Sequence, residues 1–538
     1  MSLRSIARLI SSVRETRSET YRQKPARLNA FIEAAMALLL CLVASQAQAE
    51  NNENVRDSPV TSADSANRTD TNATAPKRTP TKRTGSKGSV DAPYSTASSP
   101  APKRPSILFH RWQEDWSVLA DPRVPRESFD SLKYIPLSPT DPKTYLSFGA
   151  DFRERFEGLD AANFGIGQPN QDYLISRTEF HADLRVADQL QVFVQLQSNY
   201  APWKTVITPV DVNPLDLEQA FLTLTEPVGD GTLKLRFGRQ QMAFDLQRFI
   251  SVRDGPNNRQ SYDAAWGDYE SGPWRFIAFY SHPVQDLPDR PFDDYSSSAL
   301  TFGIARAERK LSDWGRLIAY YGQFTQKNAK WLTVSGNELR NILDTRLVIA
   351  ANGFDGDLEF MGQSGTIGID QIRAWAVGST AGFTFKNTLW MPRFGLQFDA
   401  ASGNSDPQGN VLRTFNPLFP NGYYFALAGF TGYTNLIHFK QLVTLNFSSS
   451  TTLLLAVAEQ WRETTADAVY TQPDIPVAGT AGKPGRYTGH YYQTRLDWTL
   501  DSHSSFAIEA VRFVVSDVIR QAGGHDGDYI GVQYAYGW

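Results

Sequence analysis

Arginine recurs on alternate positions in this chain, and it keeps acids for company. Arg153 and Arg155 stand with Asp151 and Glu157, and Arg177 and Arg185 stand with Glu179 and Asp183. Guanidinium is always charged, planar and able to grip a carboxylate with two parallel hydrogen bonds. Such groups spaced two apart project from one face of a β-strand. Further candidates on the same reasoning are Arg236, Arg239, Arg259, Arg373 and Arg495, with Asp263, Asp370 and Asp497 among them. The chemistry this set offers is recognition of anions. An arginine-lined pore selects anions, provided that binding stays weak enough for the solute to leave. Pairing with acids also braces a wall, so part of the set is expected to be structural.

Catalysis is not expected, and neither is a cofactor or metal. The seven histidines show no ligand spacing, and there is no HExxH and no Gly-x-Ser-x-Gly turn. The single cysteine is Cys41. A net charge of −4 excludes nucleic acid as a general partner.

The elements that carry these arginines read as strands. Leu146, Phe148, Ala150, Phe152 and Phe156 oppose Ser147, Asp151, Arg153, Arg155 and Glu157. Tyr492, Leu496 and Trp498 oppose Gln493, Arg495 and Asp497. The final residues repeat the theme, with Ile530, Val532, Tyr534, Tyr536 and Trp538 alternating with small or polar residues. Some eighteen such units follow one another from Tyr145 to Trp538, separated by alternately short turns and long loops. No run of about 18 apolar residues exists to make a membrane helix. Strands of about ten residues, apolar on one side and polar on the other, fit a closed transmembrane barrel. The expected fold is therefore all-β, a transmembrane antiparallel β-barrel of about 18 strands after a disordered N-terminal segment. At that size the interior is an aqueous channel.

Four regions follow from composition. Residues 1–49 read as a signal peptide with a long basic n-region, an apolar stretch from Ala34 to Ala44 and the small-residue site Ala47-Gln48-Ala49. Residues 50–105 are rich in Ser, Thr and Pro and are expected to be disordered. Residues 106–144 form an irregular lead-in, and 145–538 the barrel. Loop 402–433 is unusually apolar. Its Phe415, Asn416, Pro417, Phe419 and Tyr423 are expected to form a gate or plug within the lumen or over the mouth.

Several segments, in order, carry a family resemblance. They are Leu235-Arg236-Phe237-Gly238-Arg239-Gln240, Gln247-Arg248-Phe249 and Asn258-Arg259-Gln260-Ser261-Tyr262-Asp263. Asp357-Leu358-Glu359, the Phe415–Pro420 stretch and Asp526-x-Asp528-Tyr529 follow them. Together they resemble the alginate-export domain family of outer-membrane proteins. That resemblance implies an eighteen-stranded barrel in the bacterial outer membrane, exporting an anionic polysaccharide past lumen arginines that include Arg153, Arg177, Arg236, Arg239 and Arg259. The partners expected are anionic polysaccharide or small anions, outer-membrane lipid, the barrel-assembly machinery and periplasmic secretion proteins, with a monomeric barrel. An anion-selective porin for small organic acids is the alternative that the residues leave open.

Overall fold

In the computed structural model, residues 103–538 are described. The expected signal peptide, and all but the end of the 50–105 segment, lie outside the described residues. Eighteen antiparallel strands make the wall. They are β1 (Tyr145–Asp160), β2 (Gln171–Val186), β3 (Leu190–Tyr200), β4 (Asn213–Val228), β5 (Gly231–Gln241) and β6 (Ser261–Ser271). Next come β7 (Trp274–Gln285), β8 (Leu300–Ser312), β9 (Gly315–Lys330), β10 (Ser335–Ala351), β11 (Phe354–Ile367) and β12 (Asp370–Thr384). The last six are β13 (Arg393–Ala401), β14 (Leu436–Ser448), β15 (Thr451–Trp461), β16 (Tyr487–Thr499), β17 (Ser504–Val515) and β18 (Gly527–Gly537).

Each strand pairs with its chain neighbours, and β18 returns to β1. The closing register runs from Asp151 opposite Gly537 to Asp160 opposite Asp528. Closure leaves no sheet edge, so backbone groups facing lipid are satisfied within the wall. The expected eighteen strands and the expected closing pair are both present.

The outer surface is a band of large apolar side chains, among them Phe152, Phe156, Phe180, Leu222, Phe237, Phe276, Leu343, Phe360 and Tyr492. Their inward neighbours on the same strands include Arg153, Arg155, Arg177, Arg236 and Gln493, all buried. Alternation thus sets one face for lipid and one for the lumen. Both ends of the wall, Tyr145 and Gly537, lie on the short-turn side, which is the periplasmic side of such barrels.

The lead-in enters the barrel from that side. Arg111 is buried, with Nη1 2.6 Å from Asp151 Oδ1 and Nη2 donating to the carbonyl of Trp538 at 2.5 Å. The Trp112 carbonyl accepts from Arg185 at 2.7 Å and Gln191 at 2.8 Å. Its ring stacks under the Arg236 guanidinium at 3.7 Å and meets Phe221 edge-on. Trp538, expected to face lipid, instead packs on Phe129 of the lead-in, 5.0 Å between ring centres. Its backbone still pairs with Ala150 of β1, at 3.0 and 3.1 Å, while its ring meets the lead-in.

Candidate functional site

Two loops from the long-loop side fold back into the lumen and meet there. The first, residues 242–260, joins β5 to β6. The second, residues 402–435, joins β13 to β14 and includes the apolar segment. Phe419 of the second pairs by a β-bridge with Ile250 of the first. Around them lies a buried apolar core inside the barrel. Phe249 stacks edge-on to Phe415, and Phe419 touches Tyr262 and Phe302, at 5.3 to 5.5 Å. Met242, Phe324, Ile342 and Met361 complete the cluster. Phe415 is fully buried, and Asn416, Pro417 and Phe419 are buried with it. Asn416 is fixed by a reciprocal pair with Gln363, whose Nε2 donates to its carbonyl at 2.6 Å and whose Oε1 accepts from its N–H at 3.1 Å. Tyr423, half-buried, reaches Arg155 through its hydroxyl at 3.0 Å and lies beside the Arg495 guanidinium at 5.3 Å. The second loop therefore lies inside the lumen rather than above its mouth.

Two wall arginines, Arg153 and Arg177, hold the first loop, together with Arg259 at the loop's own end. Asp254 sits at its tip with three guanidinium groups around its carboxylate: Arg177 at 2.6 Å, Arg259 at 2.8 Å and Arg153 at 3.5 Å. Arg153 also donates to the carbonyls of Asp254 and Pro256, and Arg177 to those of Asn257 and Pro256. Arg155 donates to the Gly255 carbonyl and to Glu157. Glu179 balances Arg259 from the far side at 2.9 Å. Burial by itself would raise the Asp254 carboxyl, but Arg259, Arg177 and Arg153 outweigh it and hold it far below the usual carboxylate range. The loop is thus a carboxylate presented to an arginine cluster.

The other end of the same loop is latched to the opposite wall. Arg248 is fully buried and donates to Asp357 at 2.8 Å and Glu359 at 2.6 Å on β11. Its Nε donates to the Tyr424 hydroxyl of the second loop at 2.7 Å, and that hydroxyl donates to Asp399 at 2.5 Å. Asp245 takes a bidentate grip from Arg306 at 2.7 Å and a further bond from Arg346. One residue network therefore ties both loops and both walls together across the lumen.

Most of the residues expected in the lumen are there. Arg153, Arg155, Arg177, Arg185, Arg236, Arg259, Arg495, Glu179 and Asp183 all face inward. Arg185 pairs with Asp183 at 3.0 Å, and Arg495 with Asp497 at 2.7 Å and Glu509 at 2.9 Å. Arg236 differs from the rest, because aromatic faces surround it and only the Thr223 hydroxyl accepts from its Nε.

Three expected positions are corrected. Arg373 projects outward beside the exposed Trp375, because Ile372, Ala374 and Ala376 are the inward set on β12. Arg239 and Asp263 stand opposite one another on β5 and β6 and pair at 3.0 Å on the outer side of the wall. Gly238 has a positive φ of 123°, yet the register runs through it unbroken. No bulge turns Arg239 inward, so it follows strict alternation.

Arg306, Arg340 and Arg346 were not singled out by sequence, and Arg248 entered only as part of the family-resembling Gln247-Arg248-Phe249 segment. The alternation that would reveal the wall arginines among them is blurred on β8 to β11, where inward Phe302, Ile304, Phe324 and Ile342 face the loop core and outward residues face lipid. With both faces apolar, polarity no longer marks the lumen side.

This closed wall, with a lumen of paired arginines crossed by two inward loops, covers the segment from Tyr145 onward. A family model described as alginate export matches residues 144–533. The chain belongs to the alginate export family. As a member of that family it is a bacterial outer-membrane β-barrel. No curated protein matches it in sequence. Among solved structures it is similar to Pseudomonas aeruginosa OccK3 (OpdO), with a TM-score of 0.47 and 11% identity over 73% of this chain and 95% of that one. It is likewise similar to Pseudomonas aeruginosa OccK2 (OpdF) in complex with glucuronate, with a TM-score of 0.48 and 10% identity over 73% and 97% of the two chains. For Pseudomonas aeruginosa OpdK with vanillate the values are 0.48, 10%, 73% and 98%. None of these three likenesses bears on what passes through this family member.

Proposed function

We propose that this barrel is a gated, passive outer-membrane channel for export of an anionic polysaccharide of the alginate kind. The observation that carries the reading is the Asp254 site. Arg153 and Arg177 of the wall converge with Arg259 on one carboxylate, and that carboxylate belongs to a loop, not to the wall. A uronic acid residue presents the same group. With the loop withdrawn, the wall arginines Arg153, Arg155 and Arg177 would offer successive anchor points to a polymer carrying one carboxylate per sugar. Each contact is charge-assisted, yet the neighbouring acids Glu157 and Glu179 compete for the same guanidinium groups. That competition keeps any single site from trapping the polymer, as conduction requires.

The two inward loops supply the gate in this reading. A permanently open small-solute pore has no use for an aromatic core built across its own lumen. Expected partners on the periplasmic side are secretion proteins that deliver the polymer, and the lead-in at residues 106–144 lies where they would dock. The test is a reversal-potential measurement on the purified barrel in a planar bilayer under a salt gradient. Anion preference is expected. Cation preference would refute the role given to the arginines.

A further inference from the structure

We propose that the outer face of β9 to β12 carries a binding groove for a phosphorylated acyl lipid of the outer leaflet, with its tail over Gly362 and its phosphate on Arg373. The strand register builds the groove. Tyr321, Leu343, Gly362 and Trp375 stand opposite one another in a single row across the four strands. All face outward, and the three large ones are exposed. Gly362 brings no side chain to the row, so the surface dips between Leu343 and Trp375. Phe360 lines the end nearer the periplasm. The groove encloses about 450 Å³, within the range of ligand sites, about 300–1,000 Å³. Past Tyr321 the same row continues to Ala305, Ala278 and Gly267, where small residues leave a second groove of about 540 Å³ for a further tail.

The next outward row, two residues nearer the long-loop side, is polar. Gln323, Asn341, Ser364 and Arg373 stand opposite one another there. An apolar row below a polar one matches the order in which an outer-leaflet lipid presents tail and headgroup. The Tyr321 hydroxyl donates to Asn341 Oδ1 at 2.8 Å, which fixes its ring as one side of the groove.

The charge of the polar row is unanswered. Arg239 and Arg512 also face outward toward the long-loop side, and they meet Asp263 at 3.0 Å and Asp528 at 3.1 Å. Among the described residues, no carboxylate pairs with Arg373. Its Nη2 donates to the Gln371 side-chain oxygen at 2.9 Å, and its remaining N–H groups face the membrane surface. Guanidinium grips phosphate with two parallel hydrogen bonds, and a cation at headgroup level attracts anionic lipid. The groove runs into the lipid-facing band through Leu343 and Phe360, so its occupant comes from the membrane. The site is independent of what the lumen carries.

Native mass spectrometry of the full barrel in detergent, titrated with diphosphorylated lipid A, tests the site. One lipid is expected to stay bound per barrel, at least about tenfold more tightly than a diacylglycerol, because hydrogen bonds to a charged group contribute that factor or more. Arg373→Gln should weaken lipid A binding about tenfold and leave diacylglycerol unchanged. Gly362→Leu should weaken both. A Cβ at that position meets no atom closer than 4.0 Å, so the new side chain fills the groove without straining the wall. A retained gel shift on heating confirms that both variants are folded barrels. Wild-type affinity for lipid A in either folded variant, or equal affinity for lipid A and diacylglycerol, would overturn the proposal. Displacement of bound lipid A by inorganic phosphate would make Arg373 a site for free anion and overturn it as well.

Discussion

Replacing Asp254 with Ala is expected to raise the single-channel conductance of the barrel by at least about tenfold, with frequent opening events. The wild-type loop is held by one carboxylate that meets Arg177 of the wall at 2.6 Å and Arg153 at 3.5 Å, with the loop's own Arg259 at 2.8 Å. Removing one partner of a buried ionic cluster costs about 3–5 kcal/mol, because the charges left behind remain out of water. Every 1.4 kcal/mol is a factor of ten in an equilibrium, so the docked-to-undocked ratio should fall by two to three orders of magnitude or so. The backbone contacts from Arg153 and Arg177 to residues 254–257 survive the substitution, so the loop loosens rather than unfolds. Asp254→Asn keeps the shape without the charge and should fall between the two. Unchanged conductance in both variants would mean that the first loop is not the gate.

Replacing residues 416–426 with a short Gly-Ser linker is expected to have the largest effect of all, a pore that stays open. That segment supplies Phe419 and Phe425, which anchor the aromatic core inside the lumen, and Tyr424, which receives Arg248. Truncating one buried Phe in such a cluster costs about 3–5 kcal/mol, and this change removes two together with the bridge from Ile250 to Phe419. The wall does not depend on the segment, since every wall strand pairs with its wall neighbours. Phe419→Ala is the milder companion and should give brief openings where the replacement gives steady ones. A folded barrel that stays closed after the replacement would place the barrier elsewhere, in the first loop or the lead-in.

The wall was legible in the sequence because lipid and water impose opposite polarity on alternate residues. On β16, Tyr492 and Trp498 alternate with Gln493, Arg495 and Asp497, and the structure follows that split. Where the lumen is filled by protein, the contrast fails. Inward Phe302 and Ile304 face loop residues instead of water, which hid Arg306 two positions on. Arg373 shows the reverse error, a charge read as lumenal although the strand's inward set is Ile372, Ala374 and Ala376.

The inward course of residues 242–260 was not legible at all. Its anchors lie about a hundred residues away in sequence, Asp254 on Arg153 and Arg248 on Asp357 and Glu359. Two segments that carried the family resemblance, Gln247-Arg248-Phe249 and Asp357-Leu358-Glu359, turn out to be the two halves of that latch. No local pattern could have joined them, since the contact exists only once the barrel has closed.

The account stands on the arginine cluster being a polyanion site that Asp254 occupies in the closed state. The most direct measurement adds uronic-acid oligomers to Asp254→Ala channels in a planar bilayer, beside neutral oligosaccharides of the same length. The charged oligomers should block the current in a concentration-dependent manner and the neutral ones should not, with the block lost when Arg177 and Arg259 are also replaced by Gln. Equal block by both, or block that survives the loss of those arginines, would contradict it.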